Sequence, residues 1–154
     1  MRKGVIILLV AAGLAGVGAW GWLHSAQGFS ADAKPTWIEA ELASVSRRLA
    51  LPGDQNRVKN PYPATLARVA AGRQQFHTQC ALCHGEDGGG ETAIGRQLYP
   101  RAPDLGGQTE NKSDGALYYS IRNGIRMSGM PAWNQDSEEE IWNLVSYIRS
   151  LRKR

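Results

Sequence analysis

Apolar residues run without interruption in one stretch of this chain and recur every three or four positions in several others. From Val5 to Leu23 no residue is charged, and Val, Ile, Leu, Ala and Gly dominate. At about 1.5 Å per residue this stretch just crosses a hydrocarbon core about 30 Å thick, which predicts a transmembrane helix. Trp20 and Trp22 stand at its far end, where indole rings favour the headgroup zone. Beyond a small polar stretch from Gln27 to Lys34, Ile38, Leu42, Val45 and Leu49 return at spacings of four, three and four. That period predicts an amphipathic helix from Pro35 to about Ala50, with Pro35 in its first turn. Its apolar stripe must pack on the neighbouring domain, the membrane segment or another subunit, and its own domain is the favoured choice. Leu51 to Pro63 reads as a loop, broken by Pro52-Gly53 and Asn60-Pro61-Tyr62-Pro63.

Three further helices are indicated by period and capping. One spans Ala64 to Cys80, with Leu66, Val69, Phe76 and Cys80 on one side. A second starts near Ser113 or Asp114 as N-cap, carries Leu117, Tyr118 and Ile121, and stops at Gly124. The last opens with the capping box Ser137-x-x-Glu140. Ile141, Leu144, Val145, Ile148 and Leu151 form its buried face, flanked by Trp142 and Tyr147. Between these helices Gly85, Gly88, Gly89, Gly90, Pro100, Pro103 and Gly106-Gly107 mark long loops. No strand pattern of useful length and no repeat is present. The expected fold is all-α, in three segments: residues 1–26 as a membrane anchor, 27–63 as a tether with the amphipathic helix, and 64–154 as the main domain. A loop-rich domain of about ninety residues has a weak core, which an apolar group filling its centre would strengthen.

Charge changes the picture little. The formal net charge is +4, from 18 basic and 14 acidic residues. Six of the basic residues sit at the ends: Arg2, Lys3, Arg149, Arg152, Lys153 and Arg154. Without them twelve basic side chains face fourteen acidic ones, so the part of the chain beyond the apolar segment is near neutral or mildly acidic. No basic stripe interleaved with aromatics is present, which excludes nucleic acid as a partner. The C-terminal cluster reads as solvated charge at a helix C-terminus. Arg2 and Lys3 place the N-terminus in the cytoplasm and the chain beyond the apolar segment on the opposite side of the membrane. A cleavable signal peptide is the rival reading, with Ala31-Asp32-Ala33 as a small-x-small site. The apolar run is long for a signal peptide, which favours the uncleaved anchor.

The chain's chemistry is concentrated in Cys80-Ala81-Leu82-Cys83-His84. A C-x-x-C-H run attaches a c-type haem: each thiol adds to a vinyl group, and the adjacent His is placed to ligate the iron. A dithiol or half a zinc site are the rivals. Cys80 and Cys83 are the chain's two cysteines, so no second pair completes a four-thiolate site. No strand precedes the motif as a thioredoxin-like context would require. A sixth iron ligand is also on offer. Of three methionines, Met1 is cytoplasmic, leaving Met127 and Met130 in the loop after Gly124. Pro131 stiffens the backbone beside Met130, and Gly129 allows close backbone approach, which favours Met130 over Met127. An iron left open or otherwise ligated is the remaining alternative. His77 and His24 read as edge and interfacial residues.

The attachment helix with Gly72 and Phe76, the Cys80-x-x-Cys83-His84-Gly85 run, Ala102-Pro103-Asp104-Leu105, Asn123-Gly124, Gly129-Met130-Pro131-Ala132 and the closing helix together resemble class I cytochromes c. The likeness is strongest to the bacterial group that includes the cytochrome subunits of cbb3-type oxidases, and it covers about Ala64 to Leu151. The resemblance implies a class I cytochrome c fold with long loops around one covalently bound haem c, preceded by the transmembrane helix. It implies that the Pro103 carbonyl accepts from His84 Nδ1–H, and that Gly72 and Phe76 pack on the last helix near Leu144 and Tyr147. Tyr99, Arg101 and Trp133 become candidate neighbours of the haem propionates. The expectation is a one-electron carrier, not an enzyme, with no small-molecule substrate. It would pass electrons between membrane redox complexes on the periplasmic side of a bacterial inner membrane. A fixed haem subunit of a larger membrane oxidoreductase or photosynthetic complex is the second reading, and a gas sensor or enzyme with a labile Met the third.

Overall fold

The computed structural model describes residues 2–24, 36–126 and 128–151. Met127, Pro35, the 27–34 stretch, the Ala31-Asp32-Ala33 site and the last three basic residues lie outside them. Among the described residues every regular element is helical and there is no strand. The chain divides into two compact units, residues 1–35 and 36–154.

The first unit holds α1 (Arg2–Leu23). Its apolar side chains are exposed on all sides, and from Lys3 onward it is long and apolar enough to cross a membrane. The His24 ring packs against Trp20, with centroids 4.2 Å apart.

The second unit opens with α2 (Trp37–Ala50), capped by Thr36 in a reciprocal capping box with Glu39. Thr36-x-x-Glu39 is the same kind of capping-box signal as Ser137-x-x-Glu140, so the start at Trp37 was legible there. The apolar stripe does not pack as expected: Ile38, Leu42, Val45 and Leu49 are all exposed. After a 3-10 turn (Gly53–Arg57) come α3 (Leu66–Gln79), α4 (Ala81–His84), α5 (Ala93–Gln97), α6 (Leu105–Gln108), α7 (Asp114–Asn123) and α8 (Glu138–Ser150). Two short helices, α5 and α6, occupy stretches that the glycines and prolines marked as loop. Thr92 and Asp104 start them by accepting backbone N–H bonds one turn ahead.

α8 is the centre of the fold. Every residue from Ile141 to Ile148 is buried, including Asn143 and Ser146. Its polar positions are covered because other segments bring partners to them. Arg68 Nη1 donates to Asn143 Oδ1 at 3.1 Å, and Asn60 Nδ2 donates to Ser146 Oγ at 2.9 Å. α3 crosses α8 at Gly72, where a Cβ would meet the Asn143 carbonyl, so only glycine lets the two backbones approach. One turn on, Phe76 packs against Tyr147 with ring centroids 5.1 Å apart. Both contacts agree with the arrangement implied by the resemblance. On the other flank Tyr118 of α7 stacks on Trp142 at 4.4 Å. Leu66 departs from the expected apolar face of α3 and is 91% exposed; it is the first helical residue and lies beyond the crossing. Arg149 also departs from its reading as solvated charge. Its Nε pairs with Asp114 at 2.7 Å and its Nη1 donates to the Thr109 carbonyl at 3.0 Å, tying α8 to the start of α7.

Candidate functional site

Cys80 ends α3 and begins α4, so the attachment run sits on the bend between two helices. Cys80 N–H donates to Phe76 O, and the Cys83 and His84 amides both donate to Cys80 O. One helical turn therefore separates the two sulfurs and places them on the same side. Both cysteines are free and half-buried. Burial, with lesser help from the Asp136 and Cys83 charges, pushes the Cys80 thiol up to about 12. A thiol so resistant to ionisation lacks the low pKa of a redox dithiol.

His84 is fixed from two sides. Its Nδ1 lies 3.4 Å from the Pro103 carbonyl oxygen, and its own carbonyl accepts from Gly90 N–H at 2.7 Å. The first contact matches the one implied by the resemblance and holds Nδ1 as the N–H tautomer, leaving the Nε2 lone pair free to bind a metal. Burial depresses the imidazole pKa, and the Pro103 carbonyl opposes that shift without cancelling it. The ring is thus neutral near pH 7, the form in which it is a ligand. Thr92, which no sequence motif marks, reaches across the loop: its Oγ1 donates to the Cys83 carbonyl at 3.1 Å and accepts from Gly95 N–H at 2.8 Å. A threonine before a short helical run was the available signal.

Met130 comes from the far side of the sequence, in the loop between α7 and α8. It is half-buried and packs against the same apolar cluster as Cys80. Gly124, at φ 66°, turns the chain at the end of α7, and a Cβ there would meet the backbone of Met130, Pro131 and Ala132. Gly129 is exposed, and the neighbour an added Cβ would strike there is the Leu98 side chain. Met127, the competing candidate, lies outside the described residues. His77 is on the surface, where its Nδ1 meets Glu86 Oε1 at 2.6 Å.

The donor set fits a haem. Two unbridged thiols would suit addition to vinyl groups, and an imidazole and a thioether would suit the iron, to which a porphyrin brings four ligands of its own. A bare metal ion is poorly served, since no group of three or more His, Cys, Asp or Glu side chains is arranged to hold one among the described residues.

Comparison with known proteins agrees with this chemistry. The family model described as cytochrome c oxidase, cbb3-type, subunit III matches residues 67–148. Thiosulfate dehydrogenase of Stutzerimonas stutzeri (strain A1501) is 29% identical over 92 residues, which is 58% of this chain and 29% of that protein. The chain therefore spans less than a third of that relative's length. A chain of the reducing HAO-like protein complex of Kuenenia stuttgartiensis shares the fold, with a TM-score of 0.55 at 23% identity over 60% of this chain and 47% of its own. Cytochrome cL of Methylophaga aminisulfidivorans gives a TM-score of 0.49 at 22% identity, covering 82% of this chain and 73% of that one.

Proposed function

The chain belongs to the family of cytochrome c oxidase, cbb3-type, subunit III, c-type cytochrome domains that carry covalent haem c and serve electron transport, and from that premise we propose that it is a one-electron carrier with His84 and Met130 as axial ligands. In this reading Cys80 and Cys83 hold the haem covalently, and Pro103 orients His84. The observation that carries it is the His84 Nδ1 contact with the Pro103 carbonyl beside two free thiols. Bound haem supplies a reversible one-electron iron couple, which imidazole–thioether ligation sets higher than two imidazoles would. The protein's own residues do the rest. His84, held by the Pro103 carbonyl, would ligate the iron on one side, and Met130 would take the remaining position. With His84 and Met130 both on the iron no substrate site would remain there, which would make the chain a relay rather than a catalyst.

α1 fits a membrane anchor, and Arg2 and Lys3 at its start favour a cytoplasmic N-terminus. The haem domain then works on the periplasmic side of a bacterial inner membrane. Its partners are donor and acceptor redox complexes, and tethering raises its effective concentration beside them.

The test is the optical spectrum of the oxidised protein. A weak far-red band from methionine–iron ligation is expected in the native chain and in Met127→Ala, and its loss is expected in Met130→Ala. A band that survives Met130→Ala and disappears with Met127→Ala would overturn the ligand assignment.

A second reading has its own support. The exposed stripe Ile38, Leu42, Val45 and Leu49 of α2 suits a fixed haem subunit of a larger oxidoreductase. Stable co-purification with one complex after mild detergent extraction favours that reading; recovery of the chain alone favours the mobile carrier.

A further inference from the structure

The loop that presents Met130 is closed on itself around one hydroxyl. Ile125 N–H donates to the Met130 carbonyl at 3.2 Å, which joins the two ends of the turn. Inside it, Ser128 Oγ donates to the Ile125 carbonyl at 2.8 Å and accepts from Met130 N–H at 3.2 Å. The Ser128 amide also donates to the Ile125 carbonyl, at 3.2 Å. Just beyond, Trp133 N–H donates to Ile121 O at 3.1 Å and anchors the exit of the loop to α7.

From this geometry we propose that Ser128 is the positioning residue for the sixth iron ligand, an inference that rests on Met130 being that ligand. Met130 is half-buried and its N–H points into the turn, so it needs an acceptor there. The Ile125 carbonyl, at the opening of the same turn, already takes the Ser128 amide and has a second lone pair for a further donor. One hydroxyl serves both groups because it donates and accepts at a single point. It thereby fixes the Met130 backbone on the side opposite its peptide bond to Pro131, which restricts Met130 to extended conformations. Held from both sides, Met130 has little freedom to swing its thioether away. Without the hydroxyl, Met130 N–H loses its acceptor, and the turn is left with its backbone bonds alone. The consequence is functional: a sulfur that leaves the iron readily opens a position to external ligands, and the closed relay becomes a ligand-binding haem.

Imidazole binding to the oxidised full chain in detergent measures this, because imidazole competes directly with the sulfur. Loss of two modest hydrogen bonds predicts that Ser128→Ala keeps the far-red band yet binds imidazole about tenfold tighter than the native chain. The near-isosteric pair Ser128→Thr and Ser128→Val isolates the hydroxyl even where Ser128→Ala accumulates poorly. Thr should bind imidazole like the native chain, and Val should bind it like Ala. Equal imidazole affinity in Thr and Val overturns the proposal, as does a Ser128→Ala chain that melts earlier while its imidazole affinity is unchanged. Met130→Ala run in parallel separates the two claims. If it retains the far-red band, the ligand assignment itself has failed; if it loses the band while the Ser128 variants match the native chain, Ser128 alone has been assigned wrongly.

Discussion

Gly72 shows how much of this fold hangs on a single missing Cβ. A methyl group there would press on the Asn143 carbonyl in the middle of α8 and on the Tyr147 side chain. Neither helix can shift cheaply, since Leu144 and Val145 beside the crossing are fully buried. Gly72→Ala is therefore expected to cost about 1–3 kcal/mol through overpacking, despite the gain in helix propensity. A fall in the urea midpoint of the haem-loaded domain would register it, and an unchanged or raised midpoint would rule out a tight crossing. Around the proposed haem site, Pro103, Thr92 and Ser128 each act through one hydrogen bond or two on the backbone or side chain of a proposed haem-binding residue. Pro103 was suggested by family resemblance. Thr92 and Ser128 carry no sequence signature stronger than a hydroxyl in a loop, so their roles emerge when the partners are seen.

Helix starts depend on neighbours within four residues, and for that reason those of α7 and α8 were readable in advance. Ser113 and Ser137 cap α7 and α8 as their side chains foretold. At α8 the Glu140 carboxylate accepts from both the Ser137 hydroxyl and the Ser137 amide, at 2.7 and 2.8 Å. Those bonds, the hydroxyl first and the amide second, hold the Glu140 carboxyl below its usual 4.5. A carboxyl whose folded pKa is depressed adds stability above its unfolded value, and that stability is lost as pH falls through the folded value. The stability difference between the native chain and Glu140→Ala should therefore be fully present above pH 4.5 and shrink as the medium is made more acid. Chemical denaturation across that range measures it, and a difference that grows in acid would contradict the cap. α2 has an equivalent box at Thr36 and Glu39. Its apolar stripe was also legible, but its burial partner was not. A helical period says that one face is apolar; it does not say what that face meets.

At the scale of the second unit, the proposed haem-binding residues sit on one small helical core with loops around it, and they would offer the haem two independent kinds of attachment. Covalent bonds from Cys80 and Cys83 would hold the group irrespective of iron ligation. Acidified acetone should accordingly leave haem on the native chain and on Met130→Ala, and extract it from a Cys80→Ser, Cys83→Ser double variant. Haem staining of a denaturing gel reads the outcome, and retention in the double variant would contradict thioether attachment. Taken alone, the amino-acid sequence determined the all-helical class, the N-terminal apolar segment, the positions of α3, α7 and α8, and the C-x-x-C-H chemistry. Each of these is written in contiguous residues, through periodicity, capping or motif. Tertiary structure decided the rest: that α8 is buried on every side, that Arg149 binds Asp114 rather than water, that Leu66 points outward and that the α2 stripe stays exposed. It also decided that a serine two residues ahead of Met130 closes the loop around it. These depend on which distant segments meet, and a pairwise contact across tens of residues leaves no periodic trace in the chain that makes it.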